Sequence, residues 1–132
     1  MRILLAEDSG FMRVAIERLL TKAGHQVATV ADGQQAIQIA KGNIPELILL
    51  DMMLPKLSGL EVLDALKQDR RTEHIPVVIL TSLSQKNEAK LLQAGAAAYV
   101  MKSDKLLEND SLLHLLDSLN SKVKAASASV SA

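Results

Sequence analysis

Two unbroken apolar runs, Leu47-Ile48-Leu49-Leu50 and Val77-Val78-Ile79-Leu80, constrain the fold more than any other feature of the chain. A strand with one wetted face alternates polar and apolar residues. These runs do not alternate, which predicts strands covered on both faces. Turn-forming residues bound them, with Asn43-Ile44-Pro45-Glu46 ahead of the first and Pro76 opening the second. Ile3-Leu4-Leu5-Ala6 reads the same way, within a strand from Arg2 to Ala6. Gln26–Val30 and Ala98–Met101 complete a set of five expected strands.

Segments with a 3.6-residue apolar period lie between the strands. Met12, Ala15, Ile16, Leu19, Leu20 and Ala23 form such a stripe over Ser9–Ala23, with Ser9 as N-cap and Gly24 as the stop. Further helices are expected from Asp32-Gly33 to Lys41, ended by Gly42-Asn43, and from Ser58-Gly59 to Asp69. Another runs from a cap at Ser84 to Ala94, and a last one from Lys105 to Lys124. Strictly alternating strands and helices predict an α/β domain: a three-layer, doubly wound parallel sheet with right-handed crossovers and five helices. The domain is expected over residues 1–122, followed by an Ala/Ser-rich tail or linker over 123–132. Leu106, Leu107 and Leu113 fall outside the main stripe of the last helix, and Leu113 is read as exposed apolar area for a partner.

Composition removes several function classes. Of 132 residues, 15 are basic and 15 acidic, so no charge excess points to nucleic acid or an anionic membrane. Phe11 and Tyr99 are the only aromatics, too few for a base-stacking platform. There is no cysteine, hence no disulfide framework and no thiolate chemistry. No stretch reads as a leader or a membrane span, and a cytoplasmic protein is expected. His25, His74 and His114 are scattered and read as surface histidines.

In a parallel sheet, strand ends of one kind share one edge, and ligands bind beyond the carboxyl ends. That edge would carry Glu7, Asp8, Asp51, Thr81 and Lys102, each just past an apolar strand. Three acids gathered there would repel one another and raise each other's pKa values. A hard divalent cation such as magnesium relieves that repulsion. Thr81 supplies a hydroxyl, and Lys102 a mobile positive charge suited to phosphate oxygens. A carboxylate can itself be a nucleophile that forms an acyl phosphate.

Over Arg2–Leu119 the chain resembles the receiver domains of two-component response regulators, in particular single-domain chemotaxis-type or phosphorelay regulators. The resemblance rests on Glu7-Asp8 after the first strand, and on Asp51 followed by Pro55 and Gly59 after the third. It also rests on Thr81-Ser82 after the fourth strand, Ala94-Gly95-Ala96 before the fifth, and Tyr99 and Lys102. It implies a flavodoxin-like strand order 2-1-3-4-5 and phosphorylation of Asp51 by a histidine kinase or histidine phosphotransfer protein. It implies magnesium contacts from Asp8, Asp51 and the Met53 backbone carbonyl, with Glu7 acting mainly through water. Thr81 and Lys102 would hold the phosphoryl group, and Thr81 and Tyr99 would switch. The face built from the fourth helix, fifth strand and fifth helix would then be read by a downstream protein partner. Catalysis would be limited to self-phosphotransfer and slow self-dephosphorylation. Ser103 departs from the family pattern, which usually has proline after the lysine. Met53 and Leu83 are apolar where polar side chains help position hydrolytic water, so a long-lived phosphoryl group is expected.

Two other readings compete. A small magnesium-dependent phosphatase would use Asp51 as nucleophile, but it would want a general acid where Met53 stands. A pseudo-receiver would bind partners without phosphorylation, which the intact acidic set argues against. Taken singly, Asp51 could cap a turn and Glu7-Asp8 could begin a helix. Their joint placement at strand ends favours the site.

Overall fold

A computed structural model of the chain describes residues 1–82, 88–102, 105–108 and 110–131. The expected cap at Ser84, together with Leu83 and Ser103, lies outside the described residues. The strands are β1 (Arg2–Ala6), β2 (Gln26–Val30), β3 (Leu47–Asp51), β4 (Val77–Thr81) and β5 (Ala98–Met101). The helices are α1 (Gly10–Lys22), α2 (Gly33–Asn43), α3 (Gly59–Lys67), α4 (Glu88–Gln93), α5 (Lys105–Glu108) and α6 (Ser111–Ser131). All neighbouring strands are parallel, in the order β2-β1-β3-β4-β5. The flavodoxin-like architecture expected from sequence is therefore the one observed. The single expected last helix is present as α5 and α6, and α6 carries the Ala/Ser segment on as helix to Ser131. Among the described residues no helix is long and apolar enough to cross a membrane.

The covered strands explain the unbroken apolar runs. Every residue of β3 and β4 is buried, and side chains pointing to the two faces enter two different cores. Leu4, Ile48, Leu50, Val77 and Ile79 pack with Ala36 and Ala40 of α2, Val62, Leu63 and Leu66 of α3, and Leu91 of α4. Ile3, Leu5, Leu47, Leu49, Val78 and Leu80 pack with Ile16 and Leu20 of α1, Leu106 of α5, and Leu112, Leu116 and Leu119 of α6. Leu107 and Leu113 lie partly buried against this second core. Leu113, read from the stripe as exposed apolar area for a partner, is instead partly buried by its packing against this core.

Helix ends follow the local chemistry. Ser9, Asp32 and Ser58 are extended N-caps whose side chains accept from the N–H groups of Met12, Gln35 and Glu61. Gly24, the expected stop of α1, has φ +98°. α2 runs past Gly42 and stops at Ile44, which takes the left-handed conformation (φ 41°) despite its β-branched side chain. Pro45 follows and blocks continuation. The Ile44 N–H closes the helix on the Ala40 carbonyl at 3.0 Å, and its side chain packs on the first core. That burial offsets the roughly 1–2 kcal/mol a left-handed L-residue costs.

Candidate functional site

Because the strands are parallel, their carboxyl ends lie along one edge. β1 delivers Glu7 and Asp8 there, β3 ends in Asp51, β4 in Thr81, and Lys102 follows β5. Gly59 sets the turn out of β3. Its N–H donates to the Met52 carbonyl at 2.9 Å. A Cβ at this position would stand 2.6 Å from the Asp51 carbonyl oxygen, so only glycine allows α3 to begin this close to the acid.

One carboxylate oxygen from each of Glu7, Asp8 and Asp51 lies within 4.8 Å of the other two. Asp8 is exposed, while Glu7 and Asp51 are 0% and 2% exposed. Lys102 Nζ donates to Glu7 Oε1 at 2.7 Å and to Asp51 Oδ2 at 3.1 Å. The Met53 N–H donates to Asp51 Oδ1 at 3.1 Å, so both oxygens of Asp51 are engaged. Glu7 Oε2 is buried with no hydrogen-bond partner among the described residues.

One ammonium cannot neutralise two buried carboxylates. Burial, reinforced by the neighbouring Asp51, pushes the Glu7 carboxyl up to about 7, and Lys102 offsets this only in part. Burial opposes the charge on Lys102, but its bonds to Glu7 and Asp51 outweigh burial and raise its pKa above the ordinary lysine value. The two upward shifts agree: the lysine keeps its proton, and the excess negative charge is relieved at Glu7. An orphaned buried oxygen within an all-oxygen donor set of three acids fits a hard divalent cation. It does not fit a soft metal, which prefers sulfur or imidazole ligands.

Glu7, Asp8, Asp51 and Lys102 therefore converge, though 95 residues separate Glu7 from Lys102. Thr81 is 3% exposed at the end of β4, and its carbonyl accepts the Lys102 N–H at 2.8 Å. Tyr99 pairs with Ile79 across β4–β5 and lies partly buried against the first core. Met53, two residues past Asp51, is 67% exposed. His74 and His114 are exposed, as expected, while His25 is half-buried beside the N-terminal amine.

Several residues near the site were missed from sequence. One guanidinium nitrogen of Arg13 donates to the Glu7 carbonyl at 2.9 Å and the Asp8 carbonyl at 3.3 Å. Asp32 and Lys56 form an ion pair at 3.5 Å, and the Gly33 N–H donates to the Pro55 carbonyl at 3.2 Å. A signal existed for Arg13, which stands one turn beyond the Ser9 cap beside an acidic loop. None existed for Lys56, whose partner comes from another helix.

A family model described as the response regulator receiver domain matches residues 3–115. The chain belongs to that family. It is 39% identical over 101 residues to the transcriptional regulatory protein AfsQ1 of Streptomyces coelicolor, covering 76% of this chain and 44% of that protein. The chain thus spans less than half of AfsQ1. It is 34% identical over 101 residues to the polar-differentiation response regulator DivK of Brucella ovis, covering 76% of this chain and 82% of DivK. A solved receiver domain, that of the sensor histidine kinase PA1611 from Pseudomonas aeruginosa, superposes with a TM-score of 0.71 at 32% identity. The match covers 76% of this chain and 84% of that domain, which holds a magnesium ion in its active site cleft. This chain is accordingly a receiver domain of the two-component type.

Proposed function

We propose that this receiver accepts a phosphoryl group on Asp51 from a phosphohistidine of a kinase or phosphotransfer protein, and that the modified form binds a downstream protein. The observation that carries the reading is the meeting of Glu7, Asp8, Asp51 and Lys102 in one pocket at the carboxyl edge of the sheet. In the transfer, an Asp51 carboxylate oxygen attacks phosphorus in line. The P–N bond breaks, and the imidazole leaves with its electron pair. A magnesium ion held by Asp8, Asp51 and the Met53 carbonyl, with Glu7 through water, would supply charge neutralisation at the phosphoryl oxygens.

The chain's own residues do the positioning. The Met53 N–H fixes the Asp51 carboxylate through Oδ1. Lys102 already sits 3.1 Å from Oδ2 and can follow the incoming phosphoryl oxygens. Thr81 would donate its hydroxyl to one of them, and Tyr99 would reorient with it. The surface formed by α4, β5 and the α5–α6 segment would then change and be read by the partner. The proposed setting is the cytoplasm. The exposed thioether at Met53 offers no general acid, which argues against a phosphatase.

Acetyl phosphate with magnesium, followed by intact mass measurement, tests the assignment. Wild type should gain one phosphate and Asp51→Ala none. Beryllofluoride should shift the amide signals of Asp51, Thr81 and Tyr99. An unmodified wild type, or an equally modified Asp51→Ala, would refute the reading.

A further inference from the structure

The corner between β2 and α2 touches both loops that carry the acids. On one side, the Glu7 N–H donates to the Val30 carbonyl at 3.1 Å, tying the β1–α1 loop to the end of β2. On the other, a hydrogen bond, an ion pair and a close backbone approach tie the start of α2 to the β3–α3 loop. The Gly33 N–H donates to the Pro55 carbonyl at 3.2 Å. The Asp32 carboxylate accepts from the Gln35 N–H at 2.8 Å through Oδ1 and faces Lys56 Nζ at 3.5 Å through Oδ2. A Cβ at Gly33 would lie 2.5 Å from the Leu57 carbonyl oxygen and 2.9 Å from Val62 Cγ2, so only glycine permits this approach.

What these contacts hold is a strained turn. Lys56 has φ +69°, and the Leu57 N–H donates back to the Pro55 carbonyl at 2.8 Å. A three-residue turn closed with positive φ at its centre is rare and persists only where its surroundings impose it. Here the Pro55 carbonyl takes one donor from inside the turn and a second from α2. The turn begins two residues after Met53, and its far end is closed by the Gly59–Met52 hydrogen bond.

We propose that the Ala31–Gly33 corner is a brace for the phosphoacceptor site. Asp32 and Gly33 are positioning residues that fix the β3–α3 loop, with Asp51 and the Met53 carbonyl, against the Glu7-Asp8 loop. The inference rests on the phosphoacceptor reading above. Groups that orient ligands in this way commonly change metal affinity by about 10–100-fold when altered. A methyl added at Gly33 displaces the loop through a backbone contact. Removing the charge at Asp32 loosens it only through an ion pair whose Lys56 end is exposed, which sets a smaller effect.

Magnesium titration calorimetry on the full chain tests the brace, with acetyl phosphate labelling rates at limiting and saturating magnesium. Gly33→Ala should weaken magnesium binding about tenfold. Asp32→Asn keeps an acceptor for the Gln35 N–H, and both it and Lys56→Met should weaken binding about threefold, the double variant no more than either single one. Saturating magnesium should return the labelling rates of all three single variants close to wild type. A merely structural role would lower the melting temperature and leave the magnesium Kd unchanged, and that result would overturn the brace. Should Gly33→Ala fail to fold, the Asp32→Asn and Lys56→Met cycle decides by the same criterion. A wild type that takes up neither magnesium nor phosphate would overturn the phosphoacceptor reading and the brace with it. Normal loading of wild type beside unchanged variants would overturn the brace alone.

Discussion

Replacing Glu7 by Gln should stabilise the metal-free protein at alkaline pH while weakening its affinity for a divalent cation. Glu7 is fully buried, and its carboxyl is pushed up to about 7 from an unfolded value of 4.5. A raised carboxyl pKa means that the folded chain binds more protons than the unfolded chain between those two values. Stability is therefore greatest below 4.5 and falls as pH rises through about 7. The shift corresponds to about 3 kcal/mol, or roughly 10 °C in melting temperature for a domain of this size. Gln imitates the protonated side chain and removes that dependence. At pH about 8 without metal, Glu7→Gln should exceed wild type by about 3 kcal/mol, and at pH about 5 by less than about 1 kcal/mol. Magnesium should close most of that gap by stabilising wild type, with about 2.7 kcal/mol gained at a hundred times its Kd. Urea unfolding followed by circular dichroism, with and without a chelator, measures all three quantities. If Glu7→Gln were no more stable than wild type at alkaline pH in chelator, the claim that the pocket holds uncompensated negative charge would be wrong.

The remaining predictions concern the same edge and the core beneath it. Leu49→Ala, at a fully buried position of β3, should cost roughly 3 kcal/mol or more in unfolding free energy and leave the pocket's metal preference intact. Gly59→Ala forces a Cβ to within 2.6 Å of the Asp51 carbonyl and should cost about 2 kcal/mol while slowing acetyl phosphate labelling. The phosphoryl group on wild type should outlast a few seconds in magnesium buffer, and Met53→Asn should shorten its life severalfold as followed by phosphate release. Rapid loss from wild type would contradict the role given to the exposed, apolar Met53 side chain.

How far the sequence could be read depended on whether a feature was local. The runs Leu47–Leu50 and Val77–Leu80 disclosed their burial because a doubly covered strand has no choice but to be apolar throughout. The acids at 7, 8 and 51 were legible for a related reason: polar groups stop such runs abruptly, and a parallel sheet gathers the stops on one side. Ile44 defeated the pattern. Gly42-Asn43 looked like the natural stop, yet the helix used a β-branched residue whose packing outweighs its backbone cost. The break between α5 and α6 left a mark that was not read as one: Leu106 and Leu107 fall outside the stripe kept by Leu112, Leu116 and Leu119. The Asp32–Lys56 pair was hidden for another reason: its partners come from different elements, which leaves no mark on periodicity, whereas Arg13 was marked only by its place one turn past the Ser9 cap.

The abrupt boundary between the fully covered β3 strand and the loop beyond Asp51 also divides the molecule by timescale. Amides at Leu49 and Leu50 lie in ladders shielded by both helical layers and should exchange with deuterium only when the whole domain opens. Those from Met53 to Ser58 depend on a few bonds at a strained turn and should exchange through small local openings. Chemistry at the acid can thus be retimed by substitutions in a short segment without loosening the scaffold that carries it.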